Sequence, residues 1–267
     1  MIKIVVDMMG GDLGSRAAVE GVLAFLRDYR DVEIIAVGKI EELSLLDKHA
    51  VLVDARDVLP MEAGVLDAVR AKGSSMSIAI DKVLELGAQA VVSAGGTGAY
   101  LGISSIRLKK IPSVLRPALI SPFPTKIAKK QVVILDIGAS NENSAQELVQ
   151  FALMGKLYSH HVLDVEEPKV FLLSNGSEAE KGSPESKEAY KILKDTFPNF
   201  MGNIEGRDAL DGVADVVVTD GFTGNVFLKT TEGVARMMSG LIKNAFKRNI
   251  FSQIGYLLSK KGFDQMS

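Results

Sequence analysis

Three stretches carry side chains whose types and spacing could do chemistry. Residues 214–233 read ADVVVTDGFTGNVFLKTTEG. Here Asp220, Thr223 and Asn225 crowd a glycine turn, and Lys229 follows Asn225 by four residues, on one face of a helix. Amide, hydroxyl and ammonium groups near a helix N-terminus suit an anion. A plainer reading is open beside it, in which Thr223 only caps the helix and Asn225 bonds backbone. The second stretch is Ser93-Ala94-Gly95-Gly96-Thr97-Gly98. A glycine-rich turn between a strand and a helix exposes several backbone N–H groups in one concave place, and Ser93 and Thr97 add hydroxyls. Phosphate or carboxylate is the expected ligand, although no Gly-Lys-Ser/Thr follows as in a Walker A loop. The third is Asp7-Met8-Met9-Gly10-Gly11-Asp12. Two glycines between acids fit either a crevice where backbone approaches a ligand or a tight turn with solvated aspartates.

These groups need elements to hold them. Short β-branched or aliphatic runs at 2–6, 32–37, 51–53, 90–92, 132–135, 169–173 and 216–218 read as strands. Helical spacing recurs after residue 15 (Val19, Val22, Leu23, Leu26), over 61–72 and 76–86, from 143 onward and over 184–196. Ser15 is the expected cap of the first helix, and Ser74 or Ser75 of the helix at 76–86. Prolines at 112, 117, 122 and 124 predict extended chain and turns. Strands alternating with helices predict a parallel sheet in an α/β fold. Six strands finish in small or polar residues, namely Asp7, Ser93, Asp136, Ser174, Asn203 and Asp220. On one parallel sheet such ends converge on a single cleft.

Composition narrows the classes. The 267 residues are 47% hydrophobic with a net charge of -2, so nothing global points to nucleic acid. No cysteine is present, which excludes disulfides, thiolate metal sites and a cysteine nucleophile and suits a reducing cytoplasm. Met1 leads straight into a strand, so no secretion signal is expected, and no apolar run is long enough to span a bilayer. His49, His160 and His161 sit in no metal-ligand spacing, and the neighbouring pair is expected to point in different directions.

The motifs occur in a telling order: Asp7-Met-Met-Gly-Gly-Asp12, Ser93-Ala-Gly-Gly-Thr-Gly98, Leu135-Asp-Ile-Gly-Ala139, Leu173-Ser-Asn-Gly176, Glu180-Lys-Gly182, Gly202-Asn-Ile-Glu-Gly-Arg-Asp208 and Asp220-Gly-Phe-Thr-Gly-Asn225. Together they resemble the bacterial phosphate acyltransferases over nearly the whole chain. The resemblance implies a three-layer α/β/α fold with a mostly parallel sheet, like isocitrate and isopropylmalate dehydrogenases, and a homodimer. It implies conversion of fatty acyl-[acyl-carrier-protein] and inorganic phosphate to acyl phosphate for phospholipid synthesis, with no metal and no cofactor. A phosphate dianion is already a nucleophile, so the protein has only to hold it beside the thioester carbonyl and stabilise the oxyanion. On that basis Asp7, Gly10, Gly11, Asp12, Ser93, Gly95, Gly96, Thr97 and Gly98 are expected to form the phosphate and substrate site. Lys181 and Lys229 are expected to balance charge, Asn203 and Asn225 to donate to the oxyanion, and Asp220 to orient these donors. The chain departs from the family at three positions. Leu13 stands where the family has histidine, and Gly96 and Ser140 stand where it has asparagine. The family also continues beyond Ser267, so a C-terminus shorter than the family's is expected.

The domain division expected is a catalytic α/β/α domain over 1–232 and a basic amphipathic helical segment over 233–267. From Gly233 to Phe263 there is no acidic residue, while Arg236, Lys243, Lys247, Arg248, Lys260 and Lys261 are basic. Ile242, Phe246, Ile250, Ile254 and Leu258 recur every four residues, with a break expected at Gly255. Such a helix could meet an anionic membrane surface, receive acidic acyl carrier protein or pack in a dimer. The resemblance favours a cytoplasmic protein peripheral to the membrane. Two rival functions stand beside this one: a phosphotransacetylase-like enzyme acting on acyl-coenzyme A, and a non-catalytic lipid- or carrier-binding module.

Overall fold

In the computed structural model the chain divides into two compact units, Met1–Pro117 and Ala118–Ser267. Residues 1–264 are described, without the side chains of Leu257, Lys260, Lys261, Phe263 and Asp264. The basic character expected from Lys260 and Lys261 therefore lies outside the described side chains, as do residues 265–267 altogether.

The first unit runs β1 (Ile2–Asp7), α1 (Gly14–Asp28), β2 (Val32–Gly38), β3 (Val51–Asp54), α2 (Val65–Arg70), α3 (Ser75–Leu86), β4 (Ala90–Ser93) and α4 (Thr97–Arg107). Its four strands are all parallel, in the order β3-β2-β1-β4. Alternation along β1 and β2 makes three layers. Ile4, Val6, Ile34 and Ala36 pack with Val19 and Val22 of α1. Val5, Ile35 and Val37 pack with Ala79 of α3 on the other face. Ser74 caps α3 by accepting the Ser77 N–H, and Gly87 closes it in the left-handed conformation. Ser15 is no cap: α1 starts at Leu13 without a side-chain bond, and the Ser15 hydroxyl donates to Glu42 instead. The helix expected over 61–72 shrinks to α2, because the chain up to Gly64 is extended and turned around Pro60.

The second unit runs β5 (Ile120–Pro124), β6 (Gln131–Leu135), α5 (Ala145–Leu163), β7 (Val170–Ser174), α6 (Pro184–Thr196), β8 (Phe200–Glu205), β9 (Val216–Val218), α7 (Gly221–Lys247) and α8 (Ile250–Asp264). The strand order is β5-β6-β9-β7-β8, parallel except for β5. Where Pro122 and Pro124 predict extended chain and turns, the structure has β5. It is an edge strand, where a missing N–H is tolerated. The three valines of β9 sit centrally and are fully buried, as a strand covered on both faces requires. Val216 and Val218 meet Phe151 and Leu148 of α5 and Leu193 of α6. Val217 joins Val132, Ile134 and Ala214 on the opposite side, with Phe227 and Leu228 of α7 against them. A capping box between Ser144 and Glu147 starts α5.

The two compact units meet in sequence at Pro117/Ala118, after the proline-punctuated stretch at 111–117, and position 232/233 lies inside the continuous helix α7. Two further expectations change. The apolar stripe breaks at Arg248-Asn249, where the Asn249 side chain accepts the Ser252 N–H at 2.8 Å, and Gly255 lies within α8. The rings of His160 and His161 do not diverge but meet edge to face with centroids 4.7 Å apart.

Candidate active site

In the first unit, β1 and β4 lie side by side with Asp7 opposite Ser93. The Ser93 hydroxyl donates to Asp7 Oδ2 at 2.7 Å, and the Gly95 N–H donates to Ser93 Oγ at 3.1 Å. Asp7 is buried and also accepts the Met9 N–H at 3.2 Å. This knot explains the glycines. A Cβ at Gly10 would stand 2.7 Å from the Gly95 nitrogen, and one at Gly96 would stand 2.6 Å from the Met61 carbonyl oxygen. Gly11 has φ +91°, a left-handed conformation that only glycine adopts freely. Beyond the knot, Gly96 is the N-cap of α4 and no side chain caps it. Thr97 and Gly98, in that uncapped first turn, are exposed. Asp12 and Leu13 are exposed at the start of α1.

The second unit builds a different turn at the carboxyl ends of β6 and β9. Asp136 is completely buried and accepts four backbone N–H groups, from Leu119, Gly138, Ala139 and Ser140, at 2.7–3.1 Å. Ser140 Oγ lies 2.9 Å from both Asp136 Oδ2 and Asn143 Oδ1, and Asn143 Oδ1 accepts the Gly221 N–H at 3.1 Å. The loop is thus tied to the start of α7. Side chains at Gly221 and Gly224 would overlap the carbonyl oxygens of Ser140 and Asp136, so both glycines exist for this approach. Asp220 caps α7 by accepting the Thr223 N–H at 2.9 Å. Of the two readings of this stretch, capping falls to Asp220 and not to Thr223. Asn225 lies exposed, backed by Gly138, whose φ is +132°.

The remaining candidates sit in the same unit with structural work of their own. Asn203 is buried, and its amide donates to the Glu178 carbonyl at 2.7 Å, which also receives the Lys181 N–H at 3.1 Å. Asn175 accepts the Gly182 N–H at 3.0 Å. Asn203 and Asn175 therefore hold the loop that displays exposed Lys181. Lys229 is two-thirds exposed and pairs with Glu232 at 3.1 Å. The six polar strand ends are shared between two sheets. Asp7 and Ser93 belong to the first, Asp136, Ser174 and Asp220 to the second, and Asn203 lies within β8 instead of at its end. Sequence reasoning counted Asp136 among the polar strand ends without giving it a role, and left Asn143 and Met61 out of the site. The Gly221/Gly224 spacing signalled a close neighbour for α7, but nothing in the sequence said which loop supplies it.

A family model described as "Fatty acid synthesis protein" matches residues 2–267. The phosphate acyltransferase of Aliarcobacter butzleri is 41% identical over 271 residues, covering 100% of this chain and 81% of the relative. That of Campylobacter lari is 38% identical with the same coverage. The chain belongs to the phosphate acyltransferase family. Among solved structures, a phosphotransacetylase from Streptococcus pyogenes matches with a TM-score of 0.64 at 18% identity, over 88% of this chain and 82% of that one. The EutD phosphotransacetylase of Staphylococcus aureus matches with a TM-score of 0.59 at 19% identity over the same shares. This phosphate acyltransferase family member therefore shares its fold with the phosphotransacetylases.

Proposed function

We propose that the chain transfers a fatty acyl group from an acyl-carrier-protein thioester to inorganic phosphate, giving acyl phosphate for phospholipid synthesis. The observation that carries this reading is identity of about two residues in five to phosphate acyltransferases along the whole chain. A phosphate oxygen attacks the thioester carbonyl carbon, and the carbonyl oxygen becomes an oxyanion. Its collapse breaks the C–S bond, and the carrier thiolate leaves and takes up a proton.

In this reading the open first turn of α4 positions phosphate through the backbone around Gly95, Gly96 and Gly98 and the Thr97 hydroxyl. Ser93 and Asp7 hold that turn in shape, with Gly10 and Gly11 allowing the close approach and Asp12 at the rim. Within the second unit, exposed Lys181 and Lys229 are the cations, and exposed Asn225 the amide donor, offered to an anionic or carbonyl group there. Asn203 acts through the loop it holds, and Asp220 by capping the helix that carries Asn225. Acyl phosphate trapped as hydroxamate, from palmitoyl-carrier protein with and without phosphate, tests the reaction. Phosphate-dependent product is expected. Product from palmitoyl-coenzyme A alone would move the chain to the phosphotransacetylase-like reading.

The same reading gives the helical hairpin a membrane role. Val234, Met237, Leu241 and Ile242 of α7 and Ile250, Phe251 and Ile254 of α8 are exposed, each by 42% or more. Lys243, Lys247, Ile242, Phe246 and Tyr256 line a groove of about 630 Å³ on this hairpin. No described helix is long and apolar enough to cross a membrane. Exposed apolar residues interleaved with lysines support a peripheral seat on an anionic surface, and the exposed face of α7 supports a homodimer. Flotation with anionic but not neutral vesicles, and sedimentation at twice the chain mass, are the expected results.

A further inference from the structure

We propose that buried Asp136 is a positioning residue for the reaction: through the loop it gathers, it holds the Asn225 carboxamide in place. The inference rests on the acyl-transfer reading, in which Asn225 is an amide donor, and adds the group that orders it. Asn225 is exposed, and no described residue hydrogen-bonds its carboxamide. Its N–H groups are therefore free for a ligand. An exposed side chain without bonds of its own also changes rotamer within nanoseconds. A donor already fixed costs no reorganisation at the moment of reaction, whereas a mobile one must first be ordered. This side chain needs a restraint if it is to serve.

The loop at 136–140 supplies it, within the second unit. A Cβ at Gly138 would stand 3.4 Å from Cβ and Cγ of Asn225 and 3.5 Å from its Oδ1, so the loop backs the side chain itself. Two flanking contacts tie the same loop to the same helix turn, the Ser140 carbonyl at Gly221 and the Asp136 carbonyl at Gly224. Gly138 has φ +132°, a conformation that strains any other residue and that glycine, the freest residue, does not keep unaided. The Asp136 carboxylate pins it. Oδ1 accepts the N–H groups of Leu119, Gly138 and Ala139, and Oδ2 accepts that of Ser140. Four donors converging on one carboxylate fix a loop more firmly than neutral acceptors would. Asp136 is fully buried, out of a substrate's reach, so it acts on Asn225 only through this loop.

A double-mutant cycle is the test, with turnover measured at a temperature where circular dichroism shows every variant folded. Asn225→Ala is expected to lower kcat about a hundredfold, the usual loss for one oxyanion donor, and Asp136→Asn about tenfold, both with the KM for phosphate unchanged. The double variant is expected to lose about a hundredfold, no more than Asn225→Ala alone, because the positioning then has nothing to act on. A merely structural Asp136 would make the losses multiply, to about a thousandfold, and that overturns the proposal. Ser140→Ala removes the hydroxyl 2.9 Å from Asp136 Oδ2 and leaves the carboxylate. It is expected to show the same pattern at about threefold, and it replaces Asp136→Asn if that variant does not fold. The second readout needs no turnover. In protein made with isotope-labelled asparagine, the side-chain NMR signal missing from Asn225→Ala belongs to Asn225. Its heteronuclear NOE is expected to match the backbone in the wild type and to fall in Asp136→Asn. Equal mobility in both overturns the proposal. Wild-type protein with this Asp136-dependent order that makes no acyl phosphate leaves Asp136 as the group that orders Asn225 and overturns the acyl-transfer reading. Phosphate-dependent product with full activity in Asn225→Ala does the reverse.

Discussion

The turns before α4 and α7 look alike in sequence, each a polar strand end followed by glycines and a threonine, yet they are built to opposite ends. Before α7 the glycines are filled space: the loop at 136–140 lies against Gly221 and Gly224, and the Asp220 carboxylate already occupies the helix N-terminus. An anion gains little where a carboxylate is seated. Before α4 the cap is Gly96, no side chain satisfies the first turn, and nothing stands within 4 Å of a Cβ at Gly98. The comparison teaches that glycine content does not identify an anion site. What caps the turn does: the Asp220 carboxylate is seated at the start of α7, whereas no side chain caps α4, although Gly96 there also makes room for a neighbouring carbonyl.

Several substitutions would break or sharpen this contrast. Gly224→Ala forces a side chain into the Asp136 carbonyl and is expected to cost about 3 kcal/mol or more, read as loss of thermal stability. Gly98→Ala, with open space around it, is expected to leave stability unchanged or slightly raised. Equal effects at the two glycines would erase the distinction. Asp136→Asn turns an amide NH2 toward donors that a carboxylate now accepts. It is expected to cost about 2–3 kcal/mol in chemical denaturation. Thr97→Val removes an exposed hydroxyl, so the fold should hold while the KM for phosphate rises about tenfold, roughly 1.4 kcal/mol. An unchanged KM would remove Thr97 from the phosphate site. Asp220→Ala is expected to cost about 1 kcal/mol for a lost cap, largely recovered by Asp220→Ser.

Much of the fold was legible because each local signal agreed with its neighbours. The valine run of β9 reads as a doubly covered strand, and α6 begins at Pro184 where proline suits the first turn. Where reading failed, a distant partner had decided the outcome. Ser15 looked like a cap until Glu42 took its hydroxyl, and the prolines of β5 hid a strand that is acceptable only at an edge. What Asn203 does within the fold was likewise hidden: its amide ties down the loop bearing Lys181.

The sequence by itself determined the α/β class, most of the strands and helices, and the family, because periodicity, turn residues and ordered motifs are local properties of the chain. Only the tertiary structure decided that the polar strand ends belong to two sheets, that Asp220 and not Thr223 caps α7, and that buried Asp136 organises the loop beneath it. Those outcomes depend on which carbonyl or N–H arrives from residues far away in the chain. Asp136 and the glycine it meets are 88 residues apart, from 136 to 224, and only folding brings their backbones into contact.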